Sequence, residues 1–248
     1  MDQVAEVSMG SAQVPFLTAE QMREVDRAMV ENYHIDLLQM MENAGRNLAD
    51  FARRRFLQES PEGRAVVVLA GSGGNGGGAL VCARRLANWG AHVYVYLTRP
   101  GDGMAPVTAQ QLDILRQMRV PVLLAERVGD AQEGDLVIDG IIGYSLSGAP
   151  RGAAADLIRW ANEQRAPILA LDVPSGLDST TGAVLTPCIQ ATATMTLALP
   201  KLGLRNPEAK AVVGELYLAD ISVPPELYAS LGLQVGPLFA QHEVLRLW

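Results

Sequence analysis

Residues 65–78 constrain this chain more than any other stretch: AVVVLA, an unbroken apolar run, ends directly in GSGGNGGG. A strand that is apolar at every position, rather than at alternate ones, is buried on both faces, as in a parallel sheet covered by helices above and below. The eight residues Gly71–Gly78 hold six glycines, more than a turn needs. Without side chains they let backbone N–H groups come close to a ligand and point at anionic oxygens, helped by the N-terminus of the helix that follows. Strand, glycine loop and helix in that order form the first half of a βαβ unit.

The rest of the chain repeats the alternation. Thr18 opens a helix, with Gln21 at capping-box spacing behind it and Met22, Val25, Met29 and Val30 forming one apolar stripe. A second helix is expected from Asp36 to Phe56, where Leu37, Met40, Met41, Ala44, Leu48 and Phe51 recur at helical spacing. Beyond the glycine loop the pattern predicts a helix over Gly77–Trp89, a strand over His92–Leu97, a helix over Val107–Met118 and a strand over Val120–Leu124. Then come a strand over Asp135–Asp139, a helix over Ala153–Glu163 and strands over Pro167–Asp172, Ala191–Leu199 and Ala211–Leu218. With right-handed crossovers this is an α/β chain folded as a three-layer α/β/α sandwich around a mostly parallel sheet. Its length of 248 residues suits one domain, 17–248, behind a polar leader over 1–16. The tail from Val223 is apolar and punctuated by prolines, a candidate for packing on a neighbour.

Composition removes whole classes of function. Twenty Lys and Arg against 27 Asp and Glu give a net charge of −7, which argues against a nucleic-acid coat and a basic membrane binder. Two cysteines, Cys82 and Cys188, exclude a disulfide scaffold and a zinc site built mainly from thiolates. His34, His92 and His242 are far apart, lack metalloprotease spacing and are given no role. No apolar run is long enough to span a bilayer, and the start lacks a basic region followed by an apolar one. The expected setting is therefore soluble and cytoplasmic.

In open parallel sheets ligands bind beyond the carboxyl ends of the strands, which singles out three loops. In the first, Gly71, Gly73 and Gly76 satisfy GxGxxG, yet the second strand ends in Tyr96-Leu97-Thr98-Arg99 with no acidic residue to read a ribose. That speaks against a classical NAD-dependent oxidoreductase, and the lack of GK[ST] excludes a P-loop NTPase. The second loop is Asp139-Gly140-Ile141-Ile142-Gly143-Tyr144-Ser145-Leu146-Ser147-Gly148, and the third is Asp172-Val173-Pro174-Ser175-Gly176. An Asp closing a buried strand is costly unless paired, hydrogen-bonded or metal-bound. For Asp139 a carboxylate capping its own loop is the alternative to a functional role. Asn75, Asp139, Asp172 and Ser175 should converge on one sheet edge, an oxygen-rich, thiol-free set suited to a hard cation or to acid/base work. Asp178 reads as a solvated loop charge, Met40 and Met41 as core, and Lys201 as a surface lysine rather than a group aimed at an anionic ligand.

Together these loops resemble the NAD(P)H-hydrate epimerase family, the YjeF N-terminal domain, from about Thr18 to Lys201. Met41-Glu42-Asn43-Ala44-Gly45 is similar to the family's MENAG signature, Ala70–Ala79 to its GxGNNGGDG loop, Asp139–Gly148 to its DxxxGxxxxG segment, and Asp172–Gly176 to its D-[IV]-P-S-G. The resemblance implies a Rossmann-like fold and an isomerase that interconverts the R and S forms of hydrated NADH and NADPH (NADHX and NADPHX), a metabolite-repair step that completes the work of a separate S-specific dehydratase. It implies a homodimer, nucleotide binding by Gly74, Asn75, Gly76, Gly77 and Gly78, by Gly143, Tyr144, Ser145, Leu146, Ser147, Gly148 and Ala149, and by Asp172, and a potassium ion held by Asn75, Asp139 and Ser175. Asp139 and Asp172 are then the carboxylates available for catalysis. Three positions depart from the family pattern: Gly78 stands where an Asp is usual, Thr98 where a Lys is, and Ala149 where an acidic residue is. These departures define the alternative, a catalytically impaired nucleotide- or protein-binding module of the same fold.

Overall fold

The computed structural model describes residues 14–131 and 133–248. Among them one sheet is formed by β1 (Ala65–Ala70), β2 (His92–Leu97), β3 (Val122–Leu124), β4 (Leu136–Gly140), β5 (Ile168–Leu171), β6 (Ala193–Leu197), β7 (Glu215–Ala219) and β8 (Val244–Arg246). Their spatial order is β3-β2-β1-β4-β5-β6-β7-β8. Neighbours from β3 to β7 are parallel, and β8 pairs antiparallel with β7. The helices are α1 (Ala19–Glu31), α2 (Leu37–Arg55), α3 (Gly74–Asn88), α4 (Pro106–Gln117), α5 (Gly152–Glu163), α6 (Lys210–Val213) and α7 (Pro225–Ser230).

The unbroken apolar run of β1 is used on both faces. Val66, Val68 and Ala70 pack with Leu48 and Phe51 of α2, Leu80 and Leu86 of α3 and Leu112 of α4. Val67 and Leu69 pack on the opposite face with Leu157, Ile158 and Ala161 of α5. This is the expected three-layer sandwich. At one end, α1 lays Met22, Val25 and Met29 against Met40, Ala44, Leu199 and Ile221. Its capping box forms as expected: Gln21 N–H donates to Thr18 Oγ1 at 3.2 Å, and Thr18 N–H to Gln21 Oε1 at 2.9 Å, an arrangement worth about 1 kcal/mol.

Gly45 fixes how closely α2 meets α3. A Cβ there would lie 2.4 Å from Val81 Cβ and 2.6 Å from Gly78 O, so only glycine fits without moving a helix. Gly45→Ala is therefore expected to cost about 1–3 kcal/mol. Thermal unfolding would read this as a Tm lower by about 2–12 °C, and an unchanged Tm would mean the helices have room to part.

Three expectations are corrected. Helix α3 begins at Gly74, not Gly77, so the second half of the glycine loop is already helical. Its first turn is held by Gly77 N–H to Gly73 O at 3.1 Å and by Thr108 Oγ1 donating to the same carbonyl at 3.0 Å. The apolar run expected as a strand from Ala211 opens instead as α6, and only from Glu215 does the chain enter the sheet. The tail packs on its own chain: Leu227 and Tyr228 are buried with α1, and β8 closes the sheet edge. Residues 1–13 of the expected leader lie outside the described residues; from its end, Val14 packs on the α1 cluster and Phe16 lies under Arg205.

Candidate active site

The chain leaves β1 toward β2 on one side and returns to β4 on the other, so the loops after β1 and β4 face each other across a topological switch point. They touch directly. Gly71 N–H donates to Gly140 O at 3.0 Å. A Cβ at Gly71 would lie 1.9 Å from Ile141 O, and one at Gly76 1.9 Å from Gly71 O. These two glycines are needed to cross the loops, whatever they bind. Beyond them lies the N-terminus of α3, whose leading backbone N–H groups precede the first intrahelical bond, Gly77 N–H to Gly73 O.

Asp139, fully buried at the end of β4, ties the second loop to the third. Its Oδ1 accepts from Ser175 Oγ at 2.6 Å and from Ile141 N–H at 3.1 Å, and its Oδ2 from Ser175 N–H at 2.8 Å. Burial pushes its carboxyl up to about 6 against the lowering effect of these donors. The Ile141 bond is the loop cap anticipated as an alternative. The bonds to Ser175 bring together two of the three residues expected to hold a cation.

The third loop holds the main surprise. Lys201, read as a surface lysine, is buried at 1% exposure and ion-paired through Nζ with Asp172 Oδ1. The bridge between Leu17 and Lys201 covers it, and Nζ also donates to Leu197 O at 2.8 Å. The reading of Lys201 as a surface lysine is thus corrected. Asp172 adopts φ +68°, a strained region for a side-chain-bearing residue. Its Oδ2 accepts the Tyr144 N–H at 3.0 Å. Asp178, expected to be solvated, accepts from Thr180 N–H at 3.0 Å and Thr181 N–H at 2.7 Å, which hold its carboxyl below the usual range.

A cavity of about 450 Å³ opens where these loops meet. Of the expected site residues, Gly74, Asn75, Gly78, Gly143, Tyr144, Ser145 and Asp172 line it. Gly76, Gly77, Leu146, Ser147, Gly148, Ala149, Asp139 and Ser175 do not. Gly76 and Gly77 are buried in the first turn of α3, Asp139 and Ser175 lie beneath the loops, and Ser147, Gly148 and Ala149 are exposed further along the second loop. Gly143 sits between Asn75 and Asp172: a Cβ there would lie 3.1 Å from a side-chain atom of each. Asn75 Nδ2 is buried without a hydrogen-bond partner among the described residues. Met40 and Met41, expected as core, are buried and also form part of the wall, while Glu42 beside them binds Arg84 at 2.6 Å through both oxygens.

Asp26 also lines the cavity, and the sequence reading passed it over. Tyr144 Oη donates to its Oδ2 at 2.5 Å. Burial and the charge of Asp26 push the Tyr144 hydroxyl above its ordinary range. The signal was present in the spacing: Asp26 stands four residues after Met22 and three before Met29, on the buried stripe of α1.

Sheet order, crossed glycine loop and polar-tipped cavity define an α/β protein of Rossmann-like architecture with its site at the switch point. The family model for the YjeF-related protein N-terminus matches residues 37–203, and the chain belongs to that family. It is 44% identical over 227 residues to a Dehalogenimonas lykanthroporepellens protein named NAD(P)H-hydrate epimerase, covering 91% of this chain and 89% of that one. It is 38% identical to a Salinibacter ruber protein named bifunctional NAD(P)H-hydrate repair enzyme Nnr, covering 85% of this chain but 41% of that one. In fold it is similar to the crystal structure of the yeast protein ynu0, with a TM-score of 0.77 at 23% identity, covering 94% of this chain and all of that one.

Proposed function

We propose that this chain is an NAD(P)H-hydrate epimerase, interconverting the R and S epimers of NADHX and NADPHX. The observation that carries the reading is the cavity lined by Gly74, Asn75, Gly143 and Asp172, at the meeting point of loops in a chain that resembles the epimerases along most of its length. The α3 N-terminus offers backbone N–H groups to a pyrophosphate. Asp172, clamped by Lys201 and the Tyr144 N–H, sets a carboxyl group in the cavity wall. Epimerisation at C6 needs a proton for the departing hydroxyl and an acceptor for the returning water.

A potassium ion fits the residues present. The side chains of Asn75, Asp139 and Ser175 offer oxygen atoms and no thiolate, and the carboxyl of Asp139 is fully buried, where a cation would offset its charge. Bound there, the ion would supply charge that orders the loops. A homodimer joined through the N-terminal helices, where Tyr33 and Leu37 are exposed, and a cytoplasmic setting complete the proposal. No described helix is long and apolar enough to cross a membrane. The bifunctional relatives support a functional link to an NAD(P)HX dehydratase.

The test supplies R-NADHX with excess S-specific dehydratase and follows recovery of NADH absorbance. Acceleration well above spontaneous epimerisation is expected; none, with the far-UV spectrum of a folded chain, would overturn the reading. A Gly78→Asp arm separates it from the impaired module. A Cβ at Gly78 would lie 3.0 Å from Leu171 Cδ2 and 3.7 Å from Ala44 Cβ, so the new carboxylate would enter an apolar wall. We expect no gain in rate and a stability loss of about 1–3 kcal/mol; a large gain would favour a decayed site.

A further inference from the structure

We infer that Asp26, on α1 and hydrogen-bonded to Tyr144 Oη, is the acid of this site, protonating the hydroxyl that leaves C6 of the hydrated nicotinamide ring. The inference rests on the epimerase reading. Three buried or half-buried carboxyls compete for the role. Asp139 does not line the cavity; its oxygens accept from Ser175 and Ile141 beneath the loops. Asp172 lines it, but its Oδ1 is engaged by Lys201 Nζ and its Oδ2 by the Tyr144 N–H. Asp26 lines it, has no cation in hydrogen-bond contact among the described residues, and receives its hydrogen bond from a neutral phenol. It lies before residues 37–203, the span the family model matches.

Its surroundings are apolar on several sides. Met22, Met40, Leu197 and Ile221 share the cavity wall. Burial raises the Asp26 carboxyl above its usual range, against the lowering effects of the Tyr144 hydrogen bond and the Lys201 charge; the Asp172 charge raises it further. Tyr228 on α7 also feels the Asp26 charge, and Arg23 on α1 acts on Tyr144.

The step balances. The C6–O bond breaks, the hydroxyl departs as water with the proton from Asp26, and the ring nitrogen lone pair forms the iminium. Water adds to the opposite face of C6 and gives up a proton to the Asp172 carboxylate. Exchange with solvent returns both carboxyls to their starting states.

The experiment is the coupled assay across pH, with dehydratase in excess at every point, on wild type, Asp26→Asn and Tyr144→Phe. Because the acid must be protonated, wild-type kcat falls as pH rises through the Asp26 pKa. Asp26→Asn can still accept from Tyr144 Oη; it is expected to lose about 10²–10⁴-fold in kcat with little change in KM, and to lose that alkaline limb. In Tyr144→Phe a lowering hydrogen bond is gone, so the limb moves to higher pH. Calorimetric binding of S-NADHX to Asp26→Asn should match wild type. An Asp26→Asn enzyme with near wild-type kcat, or one impaired only in KM with its alkaline limb intact, would overturn the assignment and leave the epimerase reading standing. An inactive wild type would overturn both.

Discussion

Lys201→Met is expected to lower stability by about 3–5 kcal/mol, because removing one partner of a buried ion pair leaves the other charge unpaired. For a chain of this size that is a Tm lower by about 6–20 °C. Lys201 is 1% exposed and Asp172 3%, so solvent cannot screen the stranded carboxylate. The remaining donors to Asp172 are the Tyr144 N–H at 3.0 Å and the Thr196 hydroxyl at 3.5 Å, neither of them charged. The strained φ of +68° at Asp172 adds to the effect, since the ion pair helps to hold that backbone in place. The double variant Asp172→Asn, Lys201→Met removes both charges together and should recover much of the loss, giving a coupling energy well outside additivity. Coupled assays on the same proteins should find both impaired, since each alters the cavity wall. A Lys201→Met protein melting within about 2 °C of wild type would show that the pair contributes nothing to the fold.

The same residues show what the sequence made legible. β1 and β2 were readable to the residue because six consecutive apolar or alternating side chains between turn signals leave few other structures. The convergence of Asp139 with Ser175 followed from the rule that strand ends share one edge of a parallel sheet. The start of α3 was not readable: Gly74, Gly76 and Gly77 are the poorest helix formers short of proline, and the bonds of Thr108 Oγ1 and Gly77 N–H to the Gly73 carbonyl make the turn. α6 was missed because Ala211, Val212 and Val213 read equally well as strand; Gly214, with a φ of +66°, breaks the chain before β7 begins. Lys201 was missed because a lone lysine carries no periodic signal, and burial became possible only when Asp172, 29 residues earlier, turned toward it. Pair interactions across distant loops are set by the sheet order, which local pattern does not encode.

Exchanging potassium for tetramethylammonium at equal ionic strength is expected to lower the wild-type Tm, and Asp139→Asn to abolish the difference. A ligand that binds only the folded state stabilises it by about 2.7 kcal/mol at a hundredfold excess over Kd, or about 5–10 °C in Tm here. Tetramethylammonium is too large and too weakly coordinating to replace a small cation among Asn75, Asp139 and Ser175. Asp139→Asn keeps the size of the side chain but removes its charge and turns an amide N–H₂ toward groups that are themselves donors. The Ser175 hydroxyl, at 2.6 Å, and the Ser175 N–H, at 2.8 Å, approach different oxygens of Asp139, so one of them must lose its acceptor. Hydrogen bonds to a charged group contribute about 1.5–3 kcal/mol each, so the variant should also melt lower in either salt. Those two effects separate the roles of this carboxylate. A loop cap alone predicts a lower melting point with the same, absent, response to potassium in both proteins. A cation site predicts a potassium response in wild type that the variant lacks. If wild type melts at the same temperature in both salts, the ion is not part of this site.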